Sequence, residues 1–192
     1  MVVAVAIGVA CVGHSGWIYA KAIVAQRLIA NAWTRVQAGD RDAKPWSWAD
    51  THPIAKLTIG PDGRELMVLE GSSGRNLAFG PTHDPASVLP GGRGNSVIDG
   101  HRDTHFAVLK ALKLGDVLSV ELSDGRHASF TVVALHVADS RRSRISLDGD
   151  IPRLTLVTCY PFDAIQPGGP LRYVVTADWV PPSDAGVSGS RL

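Results

Sequence analysis

DVLSVELSDGRHASFTVVALHV, residues 116–137, is the stretch that most directly indicates the fold. Leu118, Val120 and Leu122 alternate with polar residues, which is the two-residue period of a strand with one buried face. The turn-forming sequence SDGR follows at 123–126, and a second run rich in Val, Phe and Leu comes after it. An Asp-Gly pair between two such runs is typical of a tight hairpin, so we predict two antiparallel strands here.

Segments of the same character lie on both sides of this hairpin. Pro- and Gly-containing turns separate them, and one helix-like segment, 106–112, carries apolar residues at helical spacing. Many short strands with few helices predict a mainly β protein that forms a closed or nearly closed barrel. The strands predicted in addition to 116–122 and 128–137 are 54–59, 65–69, 96–98, 153–158 and 171–177.

The N-terminal segment has a different character from the rest of the chain. Residues 1–20 are almost wholly apolar, with Trp17 and Tyr19 near their end, which predicts a transmembrane anchor with interfacial aromatic residues. A cleaved signal peptide and a buried core helix are the alternatives, but no clear cleavage site interrupts the sequence. We therefore divide the chain into an anchor, a juxtamembrane helix and linker at 21–50, a barrel domain at 51–181 and a disordered tail at 182–192.

The distribution of charge limits the functional classes. The formal net charge is +1, from 19 basic and 18 acidic side chains, so nothing favours a nucleic-acid partner. Basic residues follow the apolar segment, beginning with Lys21, and none precedes it. The positive-inside rule alone would place that flank in the cytoplasm, so the charges leave the orientation of the anchor open.

Cys159 is the candidate nucleophile. The chain has two cysteines, and the apolar setting of Cys11 differs so much from that of Cys159 that a disulfide is not expected. Cys159 ends an apolar segment that begins at Leu154 and is followed by Tyr160-Pro161-Phe162, as expected for a thiol at the rim of a barrel. The alternative is an inert buried cysteine, since a nucleophilic thiol needs a base or cation beside it.

His101 and Arg172 are the candidates for that support. His101 follows an apolar strand through Gly100 and can donate or accept a proton. Arg172 begins another strand and can stabilise an oxyanion, although it can also pair with a carboxylate structurally. No zinc-type Cys/His spacing and no phosphate-binding loop is present, so we expect no metal and no cofactor. The remaining histidines need no functional role; they are His14, His52, His83, His105, His127 and His136.

Several of these motifs together resemble the sortase family. TLVTC at 155–159 is similar to the family's cysteine signature, and GHRDTHF at 100–106 is similar to the histidine segment of class D and related sortases. PLRYVV at 170–175 has its arginine where the family has one. The linker KPWSWAD at 44–50 resembles that of the proteobacterial subgroup called class GN.

The resemblance implies an eight-stranded catalytic barrel behind a single-pass inner-membrane anchor, with the barrel on the periplasmic side. It also implies a transpeptidase that cleaves an LPxTG-like C-terminal sorting signal of a surface protein and transfers the product to an amine acceptor. In this scheme Cys159 is the nucleophile, His101 the acid and base, and Arg172 the oxyanion partner. Thr158 is expected to contribute a backbone contact to the substrate.

Three other functions remain open from the sequence. The same three residues serve a hydrolase in which water resolves the thioester. A peptidoglycan L,D-transpeptidase also uses Cys, His and Arg, but the Ser/Gly-rich approach to its cysteine is absent from residues 154–159. A membrane-tethered binding module with an idle thiol is the non-enzymatic alternative.

Overall fold

The computed structural model describes residues 2–60, 62–166 and 168–181, and within the first helix it describes side chains only at 16, 17 and from 20 onward. The predicted tail at 182–192 therefore lies outside the described residues, as does Met1. The chain begins with helix α1, Val2–Gln37, and an irregular connection leads from it to the first strand. Among the described residues, no helix combines the length and hydropathy required for a membrane span.

Eight strands form a closed barrel, which confirms the predicted fold class. The order around the barrel is β1-β2-β3-β4-β7-β8-β6-β5. Short helices, α2 at Gly74–Leu77 and a 3₁₀ helix at His105–Ala111, lie in the connections. The strands are β1 Pro53–Ile59, β2 Arg64–Glu70, β3 Thr82–His83, β4 Gly94–Asp99, β5 Val117–Leu122, β6 His127–Asp139, β7 Pro152–Cys159 and β8 Leu171–Val180.

The predicted hairpin is confirmed as β5 and β6, which pair antiparallel with Leu118 opposite Phe130. Gly125 has a φ of 80° at the turn, a conformation that glycine adopts without steric cost. Alternate side chains point inward along both strands, and Leu118, Val120 and Phe130 are buried in the core. Each fully buried side chain of this size contributes roughly 2 kcal/mol to folding.

A bulge interrupts the alternation of β6. The pairing with β8 shifts between Val132 and Ala134, so Val133 is the extra residue and is exposed. Before the bulge Phe130 and Val132 face the core, and after it Leu135 packs against the core. The bulge therefore reverses which residues of β6 face outward, and it places His136 on the outer face.

Helix α1 packs against the barrel through its C-terminal half. Trp33 and Val36 form a small apolar cluster with Ala43 of the linker. The Gln26 side chain donates a hydrogen bond to the carbonyl oxygen of Phe79, with a nitrogen–oxygen distance of 2.7 Å. One continuous helix thus joins the predicted anchor to the surface of the barrel.

Candidate active site

Cys159 and Arg172 face each other at one end of the barrel. Cys159 is the last residue of β7, Arg172 is the second residue of β8, and the two are directly paired across these antiparallel strands. Paired residues of neighbouring strands point to the same face of a sheet. Both side chains are half-buried, and Cys159 is a free thiol. The structure thus brings a thiol and a guanidinium to one position on the outer face.

His101 is brought to the same end by the parallel pairing of β4 and β7. The backbone N–H of Gly100 donates to the carbonyl oxygen of Val157 at 3.0 Å, which continues the ladder beyond Asp99. A Cβ at Gly100 would lie 2.6 Å from the Phe106 ring, so the close passage there requires glycine. His101 follows immediately and is exposed. All three predicted residues therefore lie at one rim of the β4–β7–β8 sheet.

A second row of side chains lies one repeat below this rim on the same outer face. Asp99 of β4 is paired with Val157 of β7, which is paired with Val174 of β8. Val157, Val174 and Arg172 line a groove of about 440 Å³. Because Arg172 is paired with Cys159, the groove adjoins the rim that carries Cys159.

The connection between β6 and β7 forms the other wall of this groove. Ile145 and Leu147 line the groove from this connection. Asn95 of β4 holds this connection through two hydrogen bonds. The side-chain amide of Asn95 donates to the carbonyl oxygen of Ser146, and the backbone N–H of Asn95 donates to the carbonyl oxygen of Leu147, both at 2.9 Å. Asn95 is itself oriented by the Thr155 hydroxyl, which donates to its side-chain oxygen at 2.8 Å. These bonds define the shape of the groove.

Asp99 is the ionisable group of this region with a strongly shifted pKa. Burial raises the pKa of the Asp99 carboxyl from 3.8 to about 6, and repulsion from Asp84 adds to the increase. The positive charge of Arg172 acts in the opposite direction and lowers the Asp99 pKa. A carboxyl with a perturbed pKa on the same face as Cys159 and Arg172 marks a functional candidate that was not predicted from the sequence.

Arg102 is a second residue that the sequence analysis missed. Its guanidinium is buried and donates to the carbonyl oxygens of Pro161 at 2.9 Å, Ala164 at 2.8 Å and Gln166 at 3.2 Å. It also contacts the exposed Asp103 carboxylate at 3.2 Å. Arg102 thereby ties the segment that follows Cys159 to the segment that carries His101. A buried arginine with several carbonyl partners is not recognisable from its type alone.

Thr158 and His105 occupy positions next to the rim. The Thr158 side chain is buried and its hydroxyl donates to the Gly100 carbonyl oxygen at 2.7 Å, so the side chain supports β4. The predicted backbone contact of Thr158 with substrate stays a prediction. Burial lowers the pKa of the half-buried His105, and the charges of Arg64 and His101 lower it further.

Comparison with known proteins identifies the family. The family model of the sortase domain matches residues 57–180 of this chain. The chain belongs to the sortase family. The family inferred from the cysteine, histidine and arginine motifs is therefore confirmed.

The relatives of this sortase include both curated and structurally solved proteins. Sortase D of Bacillus subtilis (strain 168) is 35% identical over 120 residues, which cover 62% of this chain and 60% of that protein. Sortase A from Corynebacterium diphtheriae has a TM-score of 0.63 and 27% identity, over 72% of this chain and 66% of that one. A Sortase D5 transpeptidase of Clostridium perfringens has a TM-score of 0.58 and 25% identity, over 67% of this chain and 79% of that one. This sortase thus spans less than two thirds of the first two relatives.

Proposed function

We propose that this sortase is a cysteine transpeptidase that cleaves an LPxTG-like sorting signal of a surface protein and joins it to an amine acceptor. The observation that supports this most directly is the pairing of Cys159 with Arg172 beside His101 at one barrel rim. A nucleophile, a proton carrier and a permanent cation at one place are the groups that acyl transfer requires.

In the first step the Cys159 thiolate attacks the carbonyl carbon of the Thr in the sorting signal. The carbonyl oxygen becomes an oxyanion, and the Arg172 guanidinium stabilises the negative charge. The bond from that carbon to the following nitrogen breaks as His101, in its imidazolium form, donates a proton to the departing amine. The product is a thioester between Cys159 and the new C-terminus of the surface protein.

In the second step the amine acceptor attacks the thioester carbon. Neutral His101 takes the proton from the attacking nitrogen, and the bond to sulfur breaks to regenerate the Cys159 thiolate. One histidine serves as acid and then as base, as microscopic reversibility requires. Arg172 stabilises the oxyanion of both steps and stays charged throughout.

The groove below the rim is the proposed path of the sorting peptide. Its floor carries the apolar side chains of Val157 and Val174, and Ile145 and Leu147 add apolar surface from its wall. Such a surface suits the Leu-Pro part of the signal, while Thr reaches the rim at Cys159. Apolar pockets with a few polar groups at one end are typical of ligand sites.

We place the protein in the inner membrane, with the barrel on the periplasmic side. Support comes from the continuity of α1, which extends from the apolar N-terminal segment to the barrel surface without interruption. Trp17 is 61% exposed and lies beside the 81% exposed Trp48 at a cavity of about 680 Å³ between α1 and the linker. Two exposed tryptophans at one level suit the headgroup region of a bilayer.

The experiment is intact-mass analysis of the full chain in detergent with an LPxTG-type peptide. We expect an acyl adduct on wild type and none on Cys159→Ala. Added amine should discharge the adduct to an amide, whereas hydrolysis alone would release the free acid. The full chain is needed because Trp33 and Val36 of α1 pack with the linker.

Matched variants separate the proposed roles. Arg172→Lys keeps the charge but loses the planar fork, so adduct formation should slow while folding is retained. Cys11→Ala should form the adduct at the wild-type rate. If a folded wild-type protein forms no adduct with any motif variant, and Cys159 alkylates no faster than an ordinary thiol, the transpeptidase proposal is wrong.

A further inference from the structure

Among the described residues, the hydrogen bonds of the Arg172 side chain are local and go to neutral carbonyl groups. Its Nη1 atom donates to the carbonyl oxygens of Gly169, in the loop that enters β8, at 2.8 Å and of Leu171, the first residue of β8, at 2.9 Å. Within the described part of the chain, no carboxylate forms a salt bridge with it. A guanidinium binds a carboxylate more strongly than a neutral carbonyl, so this arrangement is easily exchanged for an ionic one.

Asp99 is the carboxylate within reach. It lies two strands from Arg172 across β7 and one side-chain repeat below it, on the same outer face. The usual strand spacing and rise place the two Cα atoms about 12 Å apart. An extended arginine and an aspartate side chain cover that span together. The line between them crosses Val157 and Cys159, where the oxyanion of the proposed reaction forms.

Asp99 also lacks another favourable partner. Among the described residues, no hydrogen bond or salt bridge to its side chain is present, and the acidic group of Asp84, on the β3–β4 connection, repels it. Arg172 of β8 is the positive charge that acts on it favourably. A largely buried carboxylate gains most from a cation that can approach it. The other ionisable groups of the rim and groove are His101, Cys159, His136 and Arg144.

We propose that Asp99 is a positioning residue whose carboxylate draws the Arg172 guanidinium away from the Gly169 and Leu171 carbonyls and holds it over Cys159. The reason for holding Arg172 over Cys159 rests on the proposed function. The pairing of Asp99 with Arg172 does not depend on that function. Because the pKa of unpaired Asp99 is about 6, its carboxylate is charged and available to Arg172 at neutral pH, and the pair dissociates in acid once Asp99 becomes protonated.

The pairing is tested without substrate by carbon-13 NMR of the Asp99 carboxyl in the full chain in detergent. Asp99→Asn identifies the resonance. The unpaired arrangement gives Asp99 a pKa of about 6, so pairing should lower the titration midpoint of wild type below that value. The midpoint should rise in Arg172→Met, because the favourable charge is gone. Asp84→Asn should move the midpoint in the opposite direction. An unchanged midpoint in Arg172→Met overturns the proposal.

Activity then tests the purpose of the pair. The ratio of kcat for wild type to kcat for Asp99→Asn should be near one at about pH 5 and rise to about tenfold above pH 7, with KM unchanged. Asp99→Glu should restore most of the rate. A ratio that does not vary with pH, or a change in KM alone, contradicts the proposal. If the NMR titration shows the pairing but wild type shows no acyl transfer, the proposed function is wrong and the pairing of Asp99 with Arg172 is retained.

Discussion

The hydroxyl of Thr158 donates a 2.7 Å hydrogen bond to the carbonyl oxygen of Gly100. Thr158 directly precedes Cys159, and Gly100 directly precedes His101, so one buried bond connects the backbones that carry these two residues. The bond holds the ends of two strands together at the point where their regular pairing stops. We infer that it sets the relative position of the thiol and the imidazole.

Thr158→Val is therefore expected to impair both stability and acyl transfer. The substitution preserves volume but leaves the Gly100 carbonyl without this donor, which costs about 1–2 kcal/mol. The rate of adduct formation should fall several-fold because His101 is less well placed. Thr158→Ser keeps the hydroxyl and is the matched control. Urea denaturation and single-turnover kinetics provide the measurements, and a rate equal to wild type for Thr158→Val would contradict the inferred role.

Arg102→Met tests the attachment of the segment that follows Cys159. The buried guanidinium holds three carbonyl oxygens of residues 161–166, and its removal leaves them without these donors. We expect a loss of about 2–4 kcal/mol in the free energy of unfolding. Hydrogen exchange should accelerate in the same segment.

Arg126→Met is the control for Arg102, since Arg126 is exposed and its side chain pairs with the nearby Asp124. Its stability and exchange pattern should match wild type. Equal exchange in residues 161–166 of Arg102→Met and wild type would show that the segment is held by other contacts.

Asp99→Asn should change the dependence of stability on pH. A carboxyl whose pKa is raised from 3.8 to about 6 on folding favours the folded state in acid, and that contribution is lost as pH rises between these values. The variant is therefore expected to be more stable than wild type above about pH 6, by on the order of 2 kcal/mol, and equally stable below about pH 4. Denaturation at several pH values checks this. A constant difference across the range would contradict it.

Trp48 tests the proposed position of the barrel against the membrane. In nanodiscs containing brominated lipids, wild-type tryptophan fluorescence should be quenched, and Trp48→Phe should remove a large part of that quenching. Trp33 is 5% exposed and lies about 24 Å further along α1 than Trp17, so Trp33→Phe should leave the quenching unchanged. Equal quenching in wild type and Trp48→Phe would place Trp48 away from the lipid.

The local pattern was enough to predict much of the fold and the rim. The alternation of Leu118, Val120 and Leu122 predicted β5, and the Asp-Gly turn predicted its pairing with β6. Cys159 was predicted at a strand end because it directly follows an apolar run, and His101 because it follows an apolar strand through Gly100. These predictions depend only on residues that are close together in the sequence, so the sequence alone is sufficient for them.

Other features of the barrel left no such signal. Strand β3 has only the two residues Thr82–His83, too short for any periodicity. The bulge at Val133 is set by the register between β6 and β8, and the run of apolar residues around it looks the same in either register. Pairing between distant strands decided both features.

The sequence by itself determined that the chain builds a mainly β domain of the sortase family and that Cys159 lies at the end of a strand. Tertiary structure alone decided which side chains share the rim. Asp99 shares the outer face with Arg172 because β4 pairs parallel with β7 and β7 pairs antiparallel with β8. Arg102 reaches the segment after Cys159 in the same way. The physical reason is that these contacts join residues about 60–70 positions apart, and only closure of the barrel brings them together.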